Sequence, residues 1–588
     1  MKKIPYGISS FEKIQTENYY YIDKTKYIET IENYGSVYHF FLRPRRFGKS
    51  LFVSMLHHYY DIKQKENFVQ LFEDTYIGKN PTPLRNTFPV LRFNFSMVKT
   101  FGSVEQIELS FSQYIFDALR NFVNRYNDLF HLSEIIVTDL LATYNGNSDV
   151  IRSLFMLLSE QRIKVYVIID EYDNFANNIL TEHGEETYTK VTHAGGFLRN
   201  FFTILKGLTD NREIDRLFIT GVSPLVMADV TSGFNIGDNI SQDPQLSAMV
   251  GITNEEARRI LGYYNSFGIF NQPLDSILND FNQWYNGYSF NQSLESVYNT
   301  ISVLYYIHQY IKTQNRPIIL TDENMRTDYG KFRFLIAAGK KLNGNFNILK
   351  DLAQTNETSS ALVRSFALSE LIDEDKFKSL LFYLGFISIS KMQPDNEYIF
   401  TVPNKLIKVI IWEFIQKAFV DVYDLKINQD YLKRAFKSMA LEGNWKPALQ
   451  YIMDRFYEAV SIRDFVFHEE GLKTFLLAWL NLTNLFRVTS EKELNQGFAD
   501  IYLEPEFRFG DYVKFGYVIE LKYIKSEFLK SKKMSEPEIK RAIEAATAQL
   551  DQFSPYDNCT TTKIIIVASA RKLLYMETKS NSRGEREG

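Results

Sequence analysis

The sequence predicts a multidomain α/β protein: a three-layer domain built on a parallel sheet, a helical and winged-helix-like middle, and a second, smaller α/β domain toward the C-terminus. Three observations carry this. Between about residues 35 and 225, apolar runs of strand length alternate with stretches of helical periodicity, the pattern of βαβ units. Within that region a basic turn ending in Gly48-Lys49-Ser50 separates the first strand from an amphipathic helix. After residue 484 the order is strand, strand, strand, helix, strand, with an aspartate on the second strand and Glu-x-Lys on the third.

Taken in order, residues 1–30 read as an appendage ahead of the sheet. Strands are expected at 37–42, 90–96, 165–170 and 216–222, and helices at 103–126 and 148–161. This makes a three-layer sheet of the RecA/AAA kind, with its ligand at the carboxyl ends of the strands. Thr253-Asn-Glu-Glu256 is a capping-box start, and 254–266 and 294–312 are apolar at helical spacing, forming a lid. The Trp284-Tyr-Asn-Gly-Tyr288 turn between them reads as a packed Ω-type loop. Residues 365–415 read as helix, strand, turn at Gln393-Pro-Asp-Asn396, strand and helix, a winged-helix-like order. Its wing carries few basic residues, which suits a spacer better than a DNA reader. The expected division is 1–250, 251–430 and 431–575, with a disordered tail over 576–588.

The turn before the first long helix has the layout of a phosphate-binding loop. Gly48 lets the backbone approach an anion, Lys49 can reach the β- and γ-phosphates, Ser50 can ligate Mg²⁺, and the helix turns its positive end to the site. Arg45 and Arg46 add charge to the cradle. Arg43 stands where the general pattern has its first glycine. The run Lys164-Val-Tyr-Val-Ile-Ile-Asp170-Glu171 ends a buried strand in two acids, the place for a Mg²⁺-orienting Asp170 and a water-activating Glu171. Thr220 and Ser223, at the end of a third strand, could sense the γ-phosphate or serve structure only.

The C-terminal constellation suits phosphodiester hydrolysis. Asp500 on one strand and Glu520-Leu-Lys522 on the next put two acids and a lysine together, because Glu520 and Lys522, two apart, share one face. Asp500 and Glu520 would bridge Mg²⁺, and Lys522 would hold the attacking water and neutralise developing charge. Glu469 and Glu470 lie on the preceding helix, and Gln549 lies in the following one.

Several of these segments carry a resemblance: Ile4-Pro-Tyr-Gly-Ile8, Tyr21-Ile-Asp-Lys24, Arg43-Pro-Arg-Arg-Phe-Gly-Lys-Ser-Leu51, Gly251-Ile-Thr-Asn-Glu-Glu256, Trp284-Tyr-Asn-Gly-Tyr288 and Val402-Pro-Asn404. Together they resemble the prokaryotic AAA-ATPase-like family, in which a PD-(D/E)xK nuclease domain commonly follows at the C-terminus. The resemblance implies arginine at position 43 and a Trp284–Tyr288 turn close to the nucleotide or at an interface. It also implies an additional metal-site acid, Glu469 or Glu470, a Gln followed four residues later by Tyr, where this chain has Gln549 and Phe553, and Gly-Arg-x-Asp, where this chain has Gly497-Phe-Ala-Asp500. Neither departure touches a metal ligand.

Composition sets the remaining bounds. Among 588 residues, 45% are hydrophobic and 23% charged, which excludes a disordered chain. One cysteine, Cys559, excludes an intramolecular disulfide framework and a Cys-based zinc site. A net charge of −4 confines nucleic-acid binding to a local patch, the Lys522–Arg541 run being one candidate and a solvated loop its bland alternative. The amino terminus has no signal-peptide character and no window suits a membrane span, so a cytoplasmic protein is expected. The expectation is an enzyme using ATP and Mg²⁺, an ATPase coupled to a nuclease acting on nucleic acid, DNA in the first place. Defence or mobile-element control is its setting by analogy, and a homo-oligomer is left open. The alternative is a nucleotide-dependent switch whose nuclease fold only binds.

Overall fold

Short runs rich in β-branched and aromatic residues form four strands of the first sheet, β1 (Tyr38–Leu42), β2 (Val90–Asn94), β3 (Val165–Asp170) and β4 (Ile214–Gly221), and the polar pair Asp238–Asn239 adds β5. In this computed structural model they lie in the order β2-β3-β4-β1-β5, every neighbouring pair parallel. The described residues run from 1 to 579 without 131–146, 194, 211–212, 231–236, 294, 326–336, 339–340, 343, 463–468, 495–496, 507–508, 511, 530–531 and 554–558. β3 is buried along its whole length, as a central strand covered by helices on both faces must be. Helices Val104–Phe130 and Asn147–Glu160 separate β2 from β3. Two helices that sequence periodicity does not single out, Asn174–Thr192 and Phe197–Asp210, separate β3 from β4.

The chain divides into two compact units, Met1–Phe332 with Glu357–Ile407, and Arg333–Asn356 with Lys408–Gly588. In the first, α1 (Lys49–Tyr60) follows β1 directly. α2 (Asn254–Asn265) opens with the expected capping box, Thr253 and Glu256 bonding each other's backbone amides. α3 (Thr300–Thr313) is capped by Asn299 and begins later than the apolar spacing suggests. The winged-helix-like stretch contains β7 (Ser388–Met392) and β8 (Glu397–Thr401), and β6 (Glu357–Ala361), just ahead of it, joins them in the antiparallel order β6-β8-β7.

In the second unit, α4 (Glu469–Leu480) precedes a five-stranded sheet of β9 (Phe486–Leu494), β10 (Gly497–Pro505), β11 (Phe515–Ile524), β12 (Thr560–Ser569) and β13 (Leu573–Thr578), ordered as numbered. β11 and β12 are parallel, and α5 (Lys532–Asp551) makes the crossover between them. α5 buries Ala546 and Leu550 against Tyr502, Val518, Ile565 and Val567 of the sheet. Phe553 fills the same core at 2% exposure, an apolar role in which a tyrosine hydroxyl would need a partner. β13 extends into the segment expected as a tail, and 580–588 lie outside the described residues.

Candidate functional site

The phosphate-loop candidate joins β1 to α1 through two left-handed residues, Arg46 at φ 70° and Gly48 at φ 103°. Gly48 caps α1, and the missing side chain is what makes that φ inexpensive. Lys49 folds back into the loop, its Nζ donating to the carbonyls of Arg43 (2.8 Å) and Pro44 (3.0 Å). Burial pushes this ammonium down to about 8, opposed by Glu171, Asp173 and Asp170. Ser50 follows, half-buried, in the first turn of the helix. Arg45 acts electrostatically on both Lys49 and Glu171, while Arg46 is exposed. Arg43 does not face the cradle's acids: it is 1% exposed, its guanidinium lies between the rings of Phe41 and Phe290, and Nη1 donates to Leu42 and Ser241 carbonyls.

β3 delivers Asp170 beside this loop. The carboxylate is completely buried, neither oxygen accepts a hydrogen bond, and Arg92 Nη2 of β2 stands 3.6 Å away. A buried acid with neither oxygen hydrogen-bonded fits a hydrated divalent cation, because buried carboxylates otherwise accept hydrogen bonds. Glu171 is left-handed at φ 51°, accepts from Asn174 Nδ2 at 2.9 Å, and is raised by burial against the pull of Lys49. Thr220 Oγ1 donates to the Phe41 carbonyl at 2.8 Å, tying β4 to β1. The Ser223 amide donates to Asp173 at 2.9 Å, and its hydroxyl accepts from Leu225 at 3.2 Å. Asp173 thus organises the strand end that sequence reading gave to Ser223, and its signal was only another acid three residues after Asp170.

An apolar cleft opens at Gly48, lined among others by Pro5, Tyr20, Tyr21, Leu51, Phe52 and Thr300. Four of the family-like segments, those at Pro5, Tyr21–Lys24, Phe47–Leu51 and Gly251–Ile252, line it, and the others bond or pack onto their neighbours. Lys24 Nζ donates to the Ala248 carbonyl (2.8 Å) and Glu256 (2.7 Å). The Phe47 carbonyl accepts from the Gly251 amide at 2.9 Å, and the Phe47 ring meets that of Tyr288 edge-on at 4.9 Å. Asn404 Nδ2 donates to the Asn286 carbonyl at 2.7 Å.

In the second unit β10 and β11 bring Asp500, Glu520 and Lys522 together. Asp500 Oδ2 accepts from the Leu521 amide at 2.8 Å. Glu520 is fully buried; its Oε1 accepts from Lys522 Nζ at 2.8 Å and its Oε2 has no hydrogen-bond partner. Burial, then the neighbouring Asp500, pushes the Glu520 carboxyl well above its ordinary range. Gln549 of α5 completes the group, accepting from Lys522 Nζ at 2.7 Å. Of the two helix acids, Glu469 faces this site, raised by burial and by Asp500, whereas Glu470 pairs with Lys350 at 2.5 Å.

Sequence reading missed Lys473, four residues after Glu469 and therefore on its face of α4. It is 7% exposed, with Nζ 2.9 Å from Glu491 and 3.6 Å from Asp500. Glu491 is left-handed at φ 49° and lies opposite Asp500, between the Ser490–Ile501 and Lys492–Ala499 pairs of β9 and β10. In the Lys522–Arg541 run, Lys540 and Arg541 pair with Glu544 and Glu538 along α5, and Lys530 lies outside the described residues. Among the described residues no group of three or more His, Cys, Asp or Glu converges as a metal cluster, and no helix is long and apolar enough to cross a membrane.

A parallel sheet with a lysine-bearing loop at its edge, followed by a mixed sheet carrying an acid pair and a lysine, defines the class: an ATPase-like domain joined to a nuclease-like one. Comparison with known proteins agrees. Residues 5–231 match a family described as predicted AAA-ATPase, and residues 467–574 match the PD-(D/E)XK nuclease superfamily, so the chain carries both domains. It is 26% identical over 451 residues to an uncharacterized protein in the vnfD 5′ region of Azotobacter chroococcum mcd 1, covering 73% of this chain and 75% of that one. Two solved structures show remote similarity at 12% identity. A Walker-type ATPase of Pyrococcus abyssi has a TM-score of 0.36, covering 66% of this chain and 94% of that one. The ORC2 protein of Aeropyrum pernix has 0.27, covering 69% and 98%.

Proposed function

We propose that the chain is a nucleotide-controlled, Mg²⁺-dependent nuclease, its first unit binding ATP and its second hydrolysing phosphodiester bonds of nucleic acid. The observation that carries it is the buried Glu520, bridged through Lys522 to Gln549 beside Asp500, an arrangement costly to fold unless a ligand uses it. Asp500 and Glu520 would hold the cation, Glu469 supporting from α4. When bound, the cation polarises the scissile phosphate and lowers the pKa of a water ligand. Lys522, oriented by Gln549, keeps positive charge where negative charge develops.

In the first unit Arg45, Arg46, Gly48 and Lys49 would receive the phosphates, Ser50 and Asp170 the Mg²⁺, and the apolar cleft the purine ring. Glu171, made more basic by burial, would take the proton of the attacking water. Lys49 would exchange its two loop carbonyls for phosphate oxygens. Defence against foreign nucleic acid or control of mobile elements is the setting such coupling would serve.

One observation favours the second reading, a nucleotide-dependent switch that binds without cutting. Lys473 stands 3.6 Å from Asp500, a cation competing for the same acid. Incubating the protein with single- and double-stranded DNA and RNA, with Mg²⁺ or Mn²⁺, with and without ATP, decides between them. Metal-dependent cleavage lost in Glu520→Ala supports the nuclease; retained binding with no cleavage of any substrate supports the switch.

A further inference from the structure

Arg46 is a side-chain-bearing residue held at φ 70°, a conformation that persists only where neighbours over-determine it. What holds it comes from 250 residues downstream in sequence. The Arg46 carbonyl accepts from the Ile301 amide (3.2 Å), the Arg45 carbonyl from Asn299 Nδ2 (3.3 Å), and the Phe47 carbonyl from Thr300 Oγ1 (2.8 Å) as well as the Gly251 amide (2.9 Å). Three successive carbonyls are thereby fastened to the start of α3. Because a trans peptide is planar with C=O and N–H opposed, the amides of Arg46, Phe47 and Gly48 turn away from α3. Those are the amides a phosphate cradle needs.

We propose that Thr300 and Asn299 are positioning residues of the phosphate loop, setting the peptide planes that face the anion. The assignment rests on the ATP reading of that loop. Asn299 is fully buried and does two jobs, its Oδ1 accepting from the Ser302 amide (3.2 Å) while its Nδ2 reaches the loop. Thr300 sits against the cradle: a Cβ built on Gly48 would lie 3.9 Å from Thr300 Oγ1. With Arg43 buried elsewhere in place of a loop glycine, the brace supplies the conformational control that the loop's own sequence lacks.

The test is ATP·Mg²⁺ affinity by calorimetry for wild type, Thr300→Val, Thr300→Ser and Lys49→Ala, with unfolding midpoints of each nucleotide-free protein. Valine keeps the shape and removes the donor, so affinity should fall roughly three- to tenfold, the worth of one hydrogen bond, with serine restoring it. Thr300→Val binding as wild type, or serine rescuing no better than valine, overturns the assignment while Lys49→Ala still reports on the nucleotide reading. Wild type without measurable ATP affinity, unchanged in Lys49→Ala, overturns that reading and the assignment with it.

Discussion

Substituting Gly287 by alanine should dislodge the Trp284–Tyr288 turn from the Val402–Asn404 segment. Gly287 has φ 88°, and a Cβ there would stand 2.2 Å from the Pro403 carbonyl oxygen and 3.0 Å from its carbon. Real Cβ atoms do not approach closer than 3.0 Å, so backbone must move by most of an ångström, and backbone cannot rotate aside as a long side chain can. Left-handed strain adds about 1–2 kcal/mol and overpacking typically about 1–3 kcal/mol, giving about 2–5 kcal/mol in all. Asn404 then loses its bond to the Asn286 carbonyl, and Tyr288 loses its seat against Phe47 of the phosphate loop. Scanning calorimetry should show a lowered unfolding transition, and ATP affinity should drop with it. Gly262→Ala is the control: it lies in α2 with nothing within 4 Å of an added Cβ, so it should be neutral or stabilise by about 0.5–1 kcal/mol. A Gly287→Ala transition equal to wild type would refute the close approach.

Three further outcomes are expected. Lys49→Ala should weaken ATP binding by about tenfold or more through lost phosphate pairing, and Glu171→Gln should keep binding while slowing hydrolysis, both read by calorimetry and phosphate release. Asp500→Asn and Glu520→Gln should each abolish metal-dependent cleavage, the double variant being barely worse; Lys522→Ala should spare metal binding and lose most turnover, and cleavage surviving Glu520→Gln but stopped by EDTA would move the chemistry elsewhere. Acid should loosen the first unit: burial pushes both His39 and His57 from 6.5 down to about 4. Below pH 6.5 the unfolded chain takes up protons that the folded one refuses, so stability present above 6.5 is lost as pH falls toward 4, by up to about 3 kcal/mol for His39. Urea unfolding between pH 7 and 4.5 should show that slope flattened in His39→Gln; an unchanged slope counts against it.

Much of the chemistry was legible because it is local. Gly48-Lys49-Ser50 lies between a five-residue strand and a helix, and Asp170 ends an unbroken apolar run, so hydrophobic periodicity alone places them. Glu520 and Lys522 share a face because strand side chains repeat every two residues, and Nζ meets Oε1 at 2.8 Å in consequence. Lys473 escaped for a converse reason: a lysine on an amphipathic helix looks like solvent-facing charge, and only the packing of that helix on the sheet brings Glu491 and Asp500 within reach of its Nζ.

By itself, then, the sequence determined the strand–loop–helix and strand–strand units and the residue types at their ends, since backbone propensity and side-chain period act over a few positions. Tertiary structure alone decided which distant segments complete the sites. Thr300 donates to the Phe47 carbonyl across 253 residues, Lys24 reaches Glu256 across 232, and Arg43 leaves the cradle to lie between Phe41 and Phe290. No local period encodes such meetings; they arise because buried carbonyls and cations must find partners, and only the packed chain determines which partners are within reach.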